Sequence, residues 1–339
     1  MDLKKYLSGK RIAIIGGAGF IGHNLALKLK QNHAIPFIID GLQVNNLGAF
    51  SNNTELDARK ELYLNFINSR LELIRKENIP LSVLDARDYH SLSPSLNAIK
   101  PDAVFHLAAV AHANRSNKDP FSTFDHSMRT LENSLDSVKD KKPHFIFLSS
   151  SMVYGNFTED SVSETSLCEP IGIYGALKYG AEKLVIAYNQ VFDLPYTIIR
   201  PSALYGERCV SRRVGQAFIE NAIKGEELSI NGNGSDKLDF TYIDDLCQGL
   251  MLCLVIQESK NQIFNLTFGE ARSINDLSKI VLENFPEVKI RINPRDNLMP
   301  ERGTLDISKA KKILGYNPNF PIEKGFKNYI NWYKNFFKF

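Results

Sequence analysis

Short apolar runs alternate with helix-length segments through residues 1–200. Six of these runs are rich in β-branched or aromatic residues and end at turn residues. They lie at residues 11–17, 35–40, 81–88, 102–109, 144–151 and 195–201. Strands that are apolar on both faces and alternate with helices are typical of a parallel sheet covered on both sides. The pattern therefore predicts an α/β fold with a parallel sheet that helices cover on both faces.

Three segments depart from this alternation. Residues 56–78 place apolar positions at helical spacing among charges, which predicts an inserted helix. Residues 225–245 indicate a strand, a glycine-rich turn and a strand. Residues 317–339 form an amphipathic aromatic tail, which we interpret as a helix docked on the body by its aromatic face rather than as a membrane-binding helix.

Composition and charge narrow the class of protein. The chain has 339 residues, 43% hydrophobic and 23% charged, which is ordinary for one large or two smaller globular domains. Its net charge of +3 is spread without a basic block, so we predict no nucleic-acid partner. No apolar run approaches the roughly 18 residues that a membrane span needs, so we predict no membrane partner. Cys168, Cys209, Cys247 and Cys253 lack metal-site spacing, which predicts no metal and reduced thiols in a cytoplasm.

A glycine-rich turn follows the first strand. Gly16, Gly19 and Gly22 have the spacing G-x-x-G-x-x-G, which lets the backbone approach a pyrophosphate at the N-terminus of the next helix. Asp40 ends the second strand, where a carboxylate accepts hydrogen bonds from the adenosine ribose. No Arg or Lys follows Asp40 before Arg59, so a 2′-phosphate would lack a nearby cation. We therefore predict NAD as the cofactor.

A tyrosine four residues before a lysine could handle a proton beside the nicotinamide. The chain contains the pairs Tyr6 and Lys10, Tyr174 and Lys178, and Tyr179 and Lys183. Because residues four apart share a helix face, spacing alone does not distinguish them. Ligands of open α/β sheets bind beyond the carboxyl ends of the strands, where residues 149–151 are all serine and where Tyr174 begins the next helix. Position in the fold therefore selects Tyr174 and Lys178.

A series of short motifs occurs in a fixed order along nearly the whole chain. They are GGAGFIG, Asp40, LDARD, HLAA, SSSMVYG, YGALK, RPSALYGE, DFTYIDD and RGTLDISKAKKILGYNP. By the order and spacing of these motifs, the chain resembles the extended short-chain dehydrogenase/reductase family of NAD-dependent nucleotide-sugar epimerases and dehydratases. The resemblance implies carbohydrate biosynthesis and a homodimer built on helices near 122–140 and 175–191. It also implies an NAD-binding domain with a Rossmann-type doubly wound parallel sheet over 1–200 and about 240–268. A smaller C-terminal α/β lobe would bind the nucleotide-sugar over 201–239 and 269–339.

The resemblance also implies roles for individual residues. Tyr174 matches the general base that removes a sugar hydroxyl proton, and the charge of Lys178 is expected to lower its pKa from about 10. Ser150 matches the residue that hydrogen-bonds the reacting oxygen, and His106 is expected to be structural. The implied cofactor contacts are Gly16, Gly19, Phe20, Ile21, Gly22, Asp40, Asp85, Ala86, Ala108, Ala109, Tyr174 and Lys178.

Two positions in the motif after Ser150 depart from part of the family. The 4,6-dehydratases and decarboxylases have acidic groups there, whereas this chain has Ser151 and Met152, and a thioether cannot relay a proton. This favours a C4 epimerase that forms a transient 4-keto sugar. The alternatives are a 4,6- or 5,6-dehydratase with another relay, such as Cys168, or a C4 dehydrogenase. A non-catalytic NAD-binding scaffold is more distant, because it would not need Ser150, Tyr174 and Lys178.

The cations near the expected sugar pocket also depart from the family. Leu238 replaces an arginine that binds the nucleotide diphosphate, and Lys237 or Arg302 is a candidate to compensate. Arg212 and Arg213 suit a diphosphate or a carboxylated sugar, or are solvated surface cations. The candidate substrate-binding residues are Ser150, Ser151, Met152, Arg212, Arg213, Lys237 and Arg302. His126 stands where the family commonly has an asparagine, and the sequence gives no account of it.

Overall fold

The computed structural model describes residues 2–51, 58–110, 113–295 and 298–337. The strands are β1 Arg11–Ile15, β2 Ile35–Asp40, β3 Leu81–Val83, β4 Ala103–His106, β5 His144–Leu148, β6 Ser161–Val162, β7 Tyr196–Arg200, β8 Leu204–Tyr205, β9 Leu228–Asn231, β10 Lys237–Leu238, β11 Thr241–Tyr242, β12 Gln262–Asn265, β13 Arg272–Ser273, β14 Ile290–Asn293 and β15 Thr304–Leu305. The helices are α1 Leu3–Leu7, α2 Phe20–Gln31, α3 Leu47–Ser51, α4 Ala58–Lys76, α5 Tyr89–Ile99, α6 Ala113–Lys118, α7 Pro120–Phe124, α8 Thr130–Val138, α9 Gly172–Phe192, α10 Val214–Ile223, α11 Ile243–Val255, α12 Ile274–Asn284, α13 Ser308–Leu314 and α14 Ile322–Phe337. A π-helical turn spans Asp125–Arg129, and 3-10 turns span Ser151–Tyr154 and Gln257–Ser259.

Seven strands form one parallel sheet in the order β12, β7, β5, β4, β1, β2, β3. Six of them are the predicted strands, so the predicted Rossmann-type α/β fold is confirmed. The seventh, β12, was not predicted, because only Ile263 and Phe264 are apolar in its four residues. The chain runs from β1 out to β3 and returns to β4 on the other side of β1. This reversal opens a crevice at the carboxyl ends of β1 and β4, where ligands of such sheets bind.

Both faces of the sheet are buried. In β1, Ile12 and Ile14 pack into the apolar cluster that contains Leu25 of α2. The alternate residues, Ala13 and Ile15, pack into the opposite cluster with residues of α5 and α8. Because successive strand residues point to opposite faces, an uninterrupted apolar run is what a doubly covered strand requires.

The predicted strand, turn and strand of residues 225–245 are present but do not pair with one another. Instead β9 pairs with β14, β10 with β13, and β11 with β8. Gly232 and Gly234 hold left-handed φ values of 75° and 78° in the turn, and a Cβ at Gly234 would lie 2.1 Å from the Asn275 amide oxygen. The turn therefore sends each strand to a partner distant in the chain, which local periodicity does not reveal.

The inserted helix and the C-terminal helix pack together. The predicted helix is present as α4, although residues 56–57 lie outside the described residues. Phe66 of α4 contacts Trp332 and Phe336 of α14, with both ring-centroid distances 4.9 Å. Tyr329 and Tyr333 are fully buried, so the predicted aromatic docking of the tail is confirmed up to residue 337. Of the helices in the described ranges, none is both long and apolar enough to cross a membrane.

Candidate active site

A cleft opens at the carboxyl ends of β1, β2, β3 and β4. Ten residues predicted to contact the cofactor line it: Gly16, Gly19, Phe20, Ile21, Gly22, Asp40, Asp85, Ala86, Ala108 and Ala109. His126 and Arg213 lie on the same walls. The fold thus gathers residues from five separate loops at the crevice that the strand order creates.

The glycine turn packs directly against neighbouring protein backbone. Gly16 has a φ of 81°, and a Cβ there would lie 2.7 Å from the Ala108 backbone nitrogen. A Cβ at Gly22 would lie 2.5 Å from Gly17 Cα. Gly19 caps α2 without a side chain, so the first N–H groups of this 12-residue helix face the cleft. A tightly packed glycine turn that leads into a helix N-terminus fits a dinucleotide pyrophosphate.

Asp40 connects the two loops beside it. Its carboxylate accepts hydrogen bonds from the Ala18 N–H at 2.9 Å and the Leu42 N–H at 2.7 Å. Burial raises the pKa of Asp40, and these backbone donors and the charge of Arg70 oppose that rise. A carboxylate has further acceptor positions, so a ribose hydroxyl fits beside these bonds. Arg70 lies near Asp40, which the sequence spacing did not reveal, because it comes from α4.

Asp85 is held by an ion pair. Arg87 donates to both Asp85 carboxylate oxygens, at 3.0 and 2.6 Å, and to Asp125 at 2.7 Å. The hydrogen bonds from Arg87 hold the pKa of Asp85 at about 2. His126 belongs to the π-helical turn beside Asp125, and partial burial followed by the charge of Arg87 lowers its pKa. This end of the cleft is therefore a fixed, charged wall.

Ser150 and Tyr174 meet at the end of β5. Ser150 caps the 3-10 turn that follows β5, with its hydroxyl accepting from the Met152 N–H at 3.2 Å. Tyr174 lies in the first turn of α9 and is buried. Burial raises the pKa of Tyr174, whereas the charge of Arg213 and the Ser150 hydroxyl lower it. The phenol thus has a hydroxyl and a cation placed to stabilise its ionised form.

Lys178 lies one turn further along α9 and faces the same small cavity as Tyr174. Its ammonium donates to the Leu148 carbonyl at 2.6 Å and lies 4.9 Å from the centroid of the Phe147 ring. Burial lowers the pKa of Lys178 to about 8, and the charge of Glu182 opposes this. The charge of Arg213 lowers the pKa of Tyr174, whereas the lowering that we expected from Lys178 stays a prediction.

The other tyrosine and lysine pairs lie elsewhere. The Lys183 ammonium sits over the Tyr179 ring at 4.8 Å, and Tyr179 packs beside the apolar cluster around Tyr154. Tyr6 is 53% exposed on α1. Neither pair borders the cleft among the residues described.

The predicted sugar-side residues divide into two groups. Arg213 lines the cleft, and its charge, after burial, lowers the pKa of Arg302 to about 10, so these two cations are near one another. The Arg212 guanidinium instead contacts Glu220 at 3.5 Å and Asn221 at 3.0 Å. Lys237 is exposed on β10, whereas Ser151 and Met152 are buried in the 3-10 turn. The structure therefore brings Arg213 and Arg302 together but not Arg212 and Lys237.

His106 lies below the site. Its ring stacks on Phe145 and Phe147, each at a centroid distance of 6.1 Å, and is 1% exposed. Burial and then the charge of Lys178 lower its pKa to about 3. A neutral, stacked ring is consistent with the structural role expected for His106.

Known proteins share the sequence pattern and the fold. The model of the NAD dependent epimerase/dehydratase family matches residues 12–267. A putative UDP-glucose 4-epimerase of Methanocaldococcus jannaschii is 30% identical over 333 residues, covering 96% of this chain and 98% of that protein. A UDP-glucuronate 4-epimerase of Thermodesulfobacterium geofontis is 30% identical over 332 residues, covering 95% of each. A crystal structure of a mutant UDP-glucuronic acid 4-epimerase from Bacillus cereus, with NAD and UDP-4-deoxy-4-fluoro-glucuronic acid, superposes with a TM-score of 0.85 at 25% identity, covering 96% of this chain and 99% of the other.

Proposed function

Because the chain belongs to the NAD-dependent epimerase/dehydratase family and is an NAD-dependent enzyme, we propose that it inverts C4 of a nucleotide-diphosphate hexose through a transient 4-keto sugar. The observation that carries this proposal is the meeting of Tyr174 and Ser150 beside the glycine-lined cleft, with a thioether at Met152. The two hydroxyl groups suffice for reversible oxidation of a sugar alcohol, and the thioether offers no proton for elimination of water.

In the proposed reaction, each side chain around Tyr174 has a separate role in one proton transfer. Tyr174 takes the proton of the C4 hydroxyl and returns it after the ketone has turned over in the site. Ser150 hydrogen-bonds the C4 oxygen, and Lys178 lies in the wall behind the phenol. NAD, when bound in the cleft, supplies the hydride acceptor and donor. Arg213 favours the phenolate because it is a nearby positive charge.

A dehydratase that uses Cys168 as its proton relay is disfavoured. Burial raises the pKa of the Cys168 thiol, and the thiol is directed to the Ser166 carbonyl at 3.7 Å. A thiol with a raised pKa gives up its proton less readily at neutral pH. The C4 epimerase remains the better account of these side chains.

We propose a UDP-sugar as the substrate, because UDP-glucose and UDP-glucuronate 4-epimerases are among the relatives. Arg213 and Arg302 are the cations placed to bind its diphosphate or a C6 carboxylate. Such a reaction would serve carbohydrate biosynthesis.

Mass spectrometry of UDP-, GDP-, CDP- and dTDP-sugars incubated with the purified enzyme tests the proposal, with NMR on every product. A product of unchanged mass and inverted C4 is the expected result, with UDP-sugars turned over fastest. Loss of one water would assign a dehydratase. Loss of two hydrogens, with accumulation of NADH, would assign a dehydrogenase.

We also propose a homodimer formed by α8 and α9. In support, Val191 near the end of α9 is 70% exposed, and Tyr188 and Phe192 form a neighbouring aromatic pair. A Val191→Glu variant should shift the mass measured by light scattering from dimer to monomer, since a charge at a buried interface is costly. A wild-type mass of one chain would contradict the proposal.

A further inference from the structure

Helix α4 carries an arginine on its buried face. Tyr63, Phe66, Ile67 and Ile74 follow that face at helical spacing, and Arg70 stands between them with none of its surface exposed. Burial lowers the pKa of Arg70 to about 10, so the guanidinium stays charged at neutral pH. Removing a charge from water costs free energy unless its hydrogen-bond donors find acceptors. Arg70 therefore carries a desolvation cost that an aliphatic residue at the same position would avoid.

The guanidinium binds two backbone carbonyls from separate loops. Arg70 Nε and Nη2 both donate to the Arg208 carbonyl, Nε at 2.9 Å, and Nη1 donates to the Asn45 carbonyl at 3.4 Å. Both acceptor residues have left-handed backbones, with φ of 50° at Asn45 and 62° at Arg208. This conformation is uncommon for arginine and more common for asparagine, so supporting contacts matter most at Arg208. Arg70 provides those contacts for both loops.

The two loops form opposite walls of the cofactor cleft. Residues 43–45 line it from the β2 side, and residues 210, 211 and 213 line it from the β8 side. The side chain of Arg208 extends the network, because its Nε donates to His23 Nε2 at 3.1 Å. His23 Nδ1 then donates to the carbonyl of Gly19, the cap of α2, at 2.9 Å. One chain of contacts therefore runs from α4 through the β8 loop to the phosphate end of the cleft.

We propose that Arg70 is a positioning residue that fixes both walls of the NAD cleft and couples NAD binding to the loop that ends at Arg213. The cofactor half of this proposal needs only that the cleft binds NAD. The substrate half rests on the proposed function, because it takes Arg213 as a substrate ligand. Loss of the guanidinium is expected to free both loops at once.

Arg70→Lys and Arg70→Met variants of the full chain test this, with Arg75→Met as the matched control because Arg75 is exposed on the same helix. We expect the Kd for NAD to rise about tenfold or more in Arg70→Met and less in Arg70→Lys, as hydrogen bonds to a charged group are lost. Hydrogen exchange should accelerate together in residues 42–46 and 206–211. The KM for the sugar should rise when NAD is saturating.

An unchanged Kd for NAD with unchanged exchange in both loops would overturn the proposal. A smaller folded fraction whose remaining molecules bind NAD normally would also overturn it, since that is a purely structural effect. If Arg70→Met does not fold, Arg70→Lys decides, because it retains the charge and one hydrogen bond. A wild-type enzyme that epimerises no sugar would refute the proposed function, while NAD affinity and hydrogen exchange would still decide the role of Arg70.

Discussion

The positive charge of Arg213 lowers the pKa of the Tyr174 phenol. Because a nearby positive charge favours the phenolate, an Arg213→Gln substitution should raise the pKa of Tyr174. The limb of the kcat profile that rises as Tyr174 ionises should therefore move to higher pH, with activity lost near neutrality and recovered in alkali. Arg212→Gln is the control, because that guanidinium contacts Glu220 and Asn221. An equal shift in both variants would contradict this role of Arg213.

The role of Tyr174 as general base is tested by comparing it with Tyr179, the tyrosine of the neighbouring tyrosine and lysine pair. Tyr174→Phe should lower kcat by about 10²–10⁴-fold, the usual contribution of a general base, while NAD stays bound. Tyr179→Phe removes the same atom from a tyrosine outside the cleft and should retain activity. Turnover assays and the NAD content of both variants measure this. Full activity in Tyr174→Phe would favour the non-catalytic scaffold.

Local motifs predict which residues form the site better than they predict which distant side chains hold those residues in place. The glycines, Asp40 and Ser150 follow strand ends, so the sequence alone places them at the carboxyl edge of the sheet, where the cleft lies. Arg70 was not predicted, because it reaches the cleft from a helix that packs between distant parts of the chain. Its one sequence signal is a charge within the apolar stripe of residues 58–76.

Helices α4 and α14 form one aromatic element through Phe66. The Phe66 ring is fully buried and contacts three rings of α14, those of Trp332, Tyr333 and Phe336. Phe66→Ala should lower the free energy of unfolding by about 3–5 kcal/mol, because it removes a large buried ring and leaves a cavity. Urea unfolding measures this change.

Phe121→Ala is the matched control for that substitution, since Phe121 is 85% exposed. Its free energy of unfolding should stay close to that of the wild type. Similar stability in the two variants would indicate that α4 does not depend on α14 for its docking.

The type of an element could be predicted where its apolar pattern is long and turn residues mark its ends. That holds for the six strands and for α4, whose patterns need no knowledge of their partners. It fails for β12, which is four residues long. For β9 to β11 strands were predicted, but their pairing partners were not, because these lie far away in the chain. Strand pairing is a property of the whole molecule, so a local pattern can locate a strand without locating its neighbour.

At the scale of the whole molecule, several buried histidines make stability depend on pH. Burial lowers the pKa of His23, His106 and His144, and for His144 it falls from 6.5 to about 4. The unfolded state therefore binds more protons than the folded state below about pH 6.5. The free energy of unfolding should fall as pH decreases through this range, and the contribution of His144 should level off near pH 4.

His144→Gln isolates one of these contributions. His144 is the first residue of β5, and its Nε2 pairs with the hydroxyl of Thr197 in β7 at 2.8 Å, so the variant should be less stable than the wild type at about pH 7.5. That gap should narrow by about 2 kcal/mol at about pH 5, because only the wild type has this buried ring to protonate on unfolding. Urea unfolding across this range measures the gap, with His90→Gln as the control because His90 is exposed on α5. If the gap for His144→Gln were constant with pH, then His144 would not remain neutral in the folded molecule.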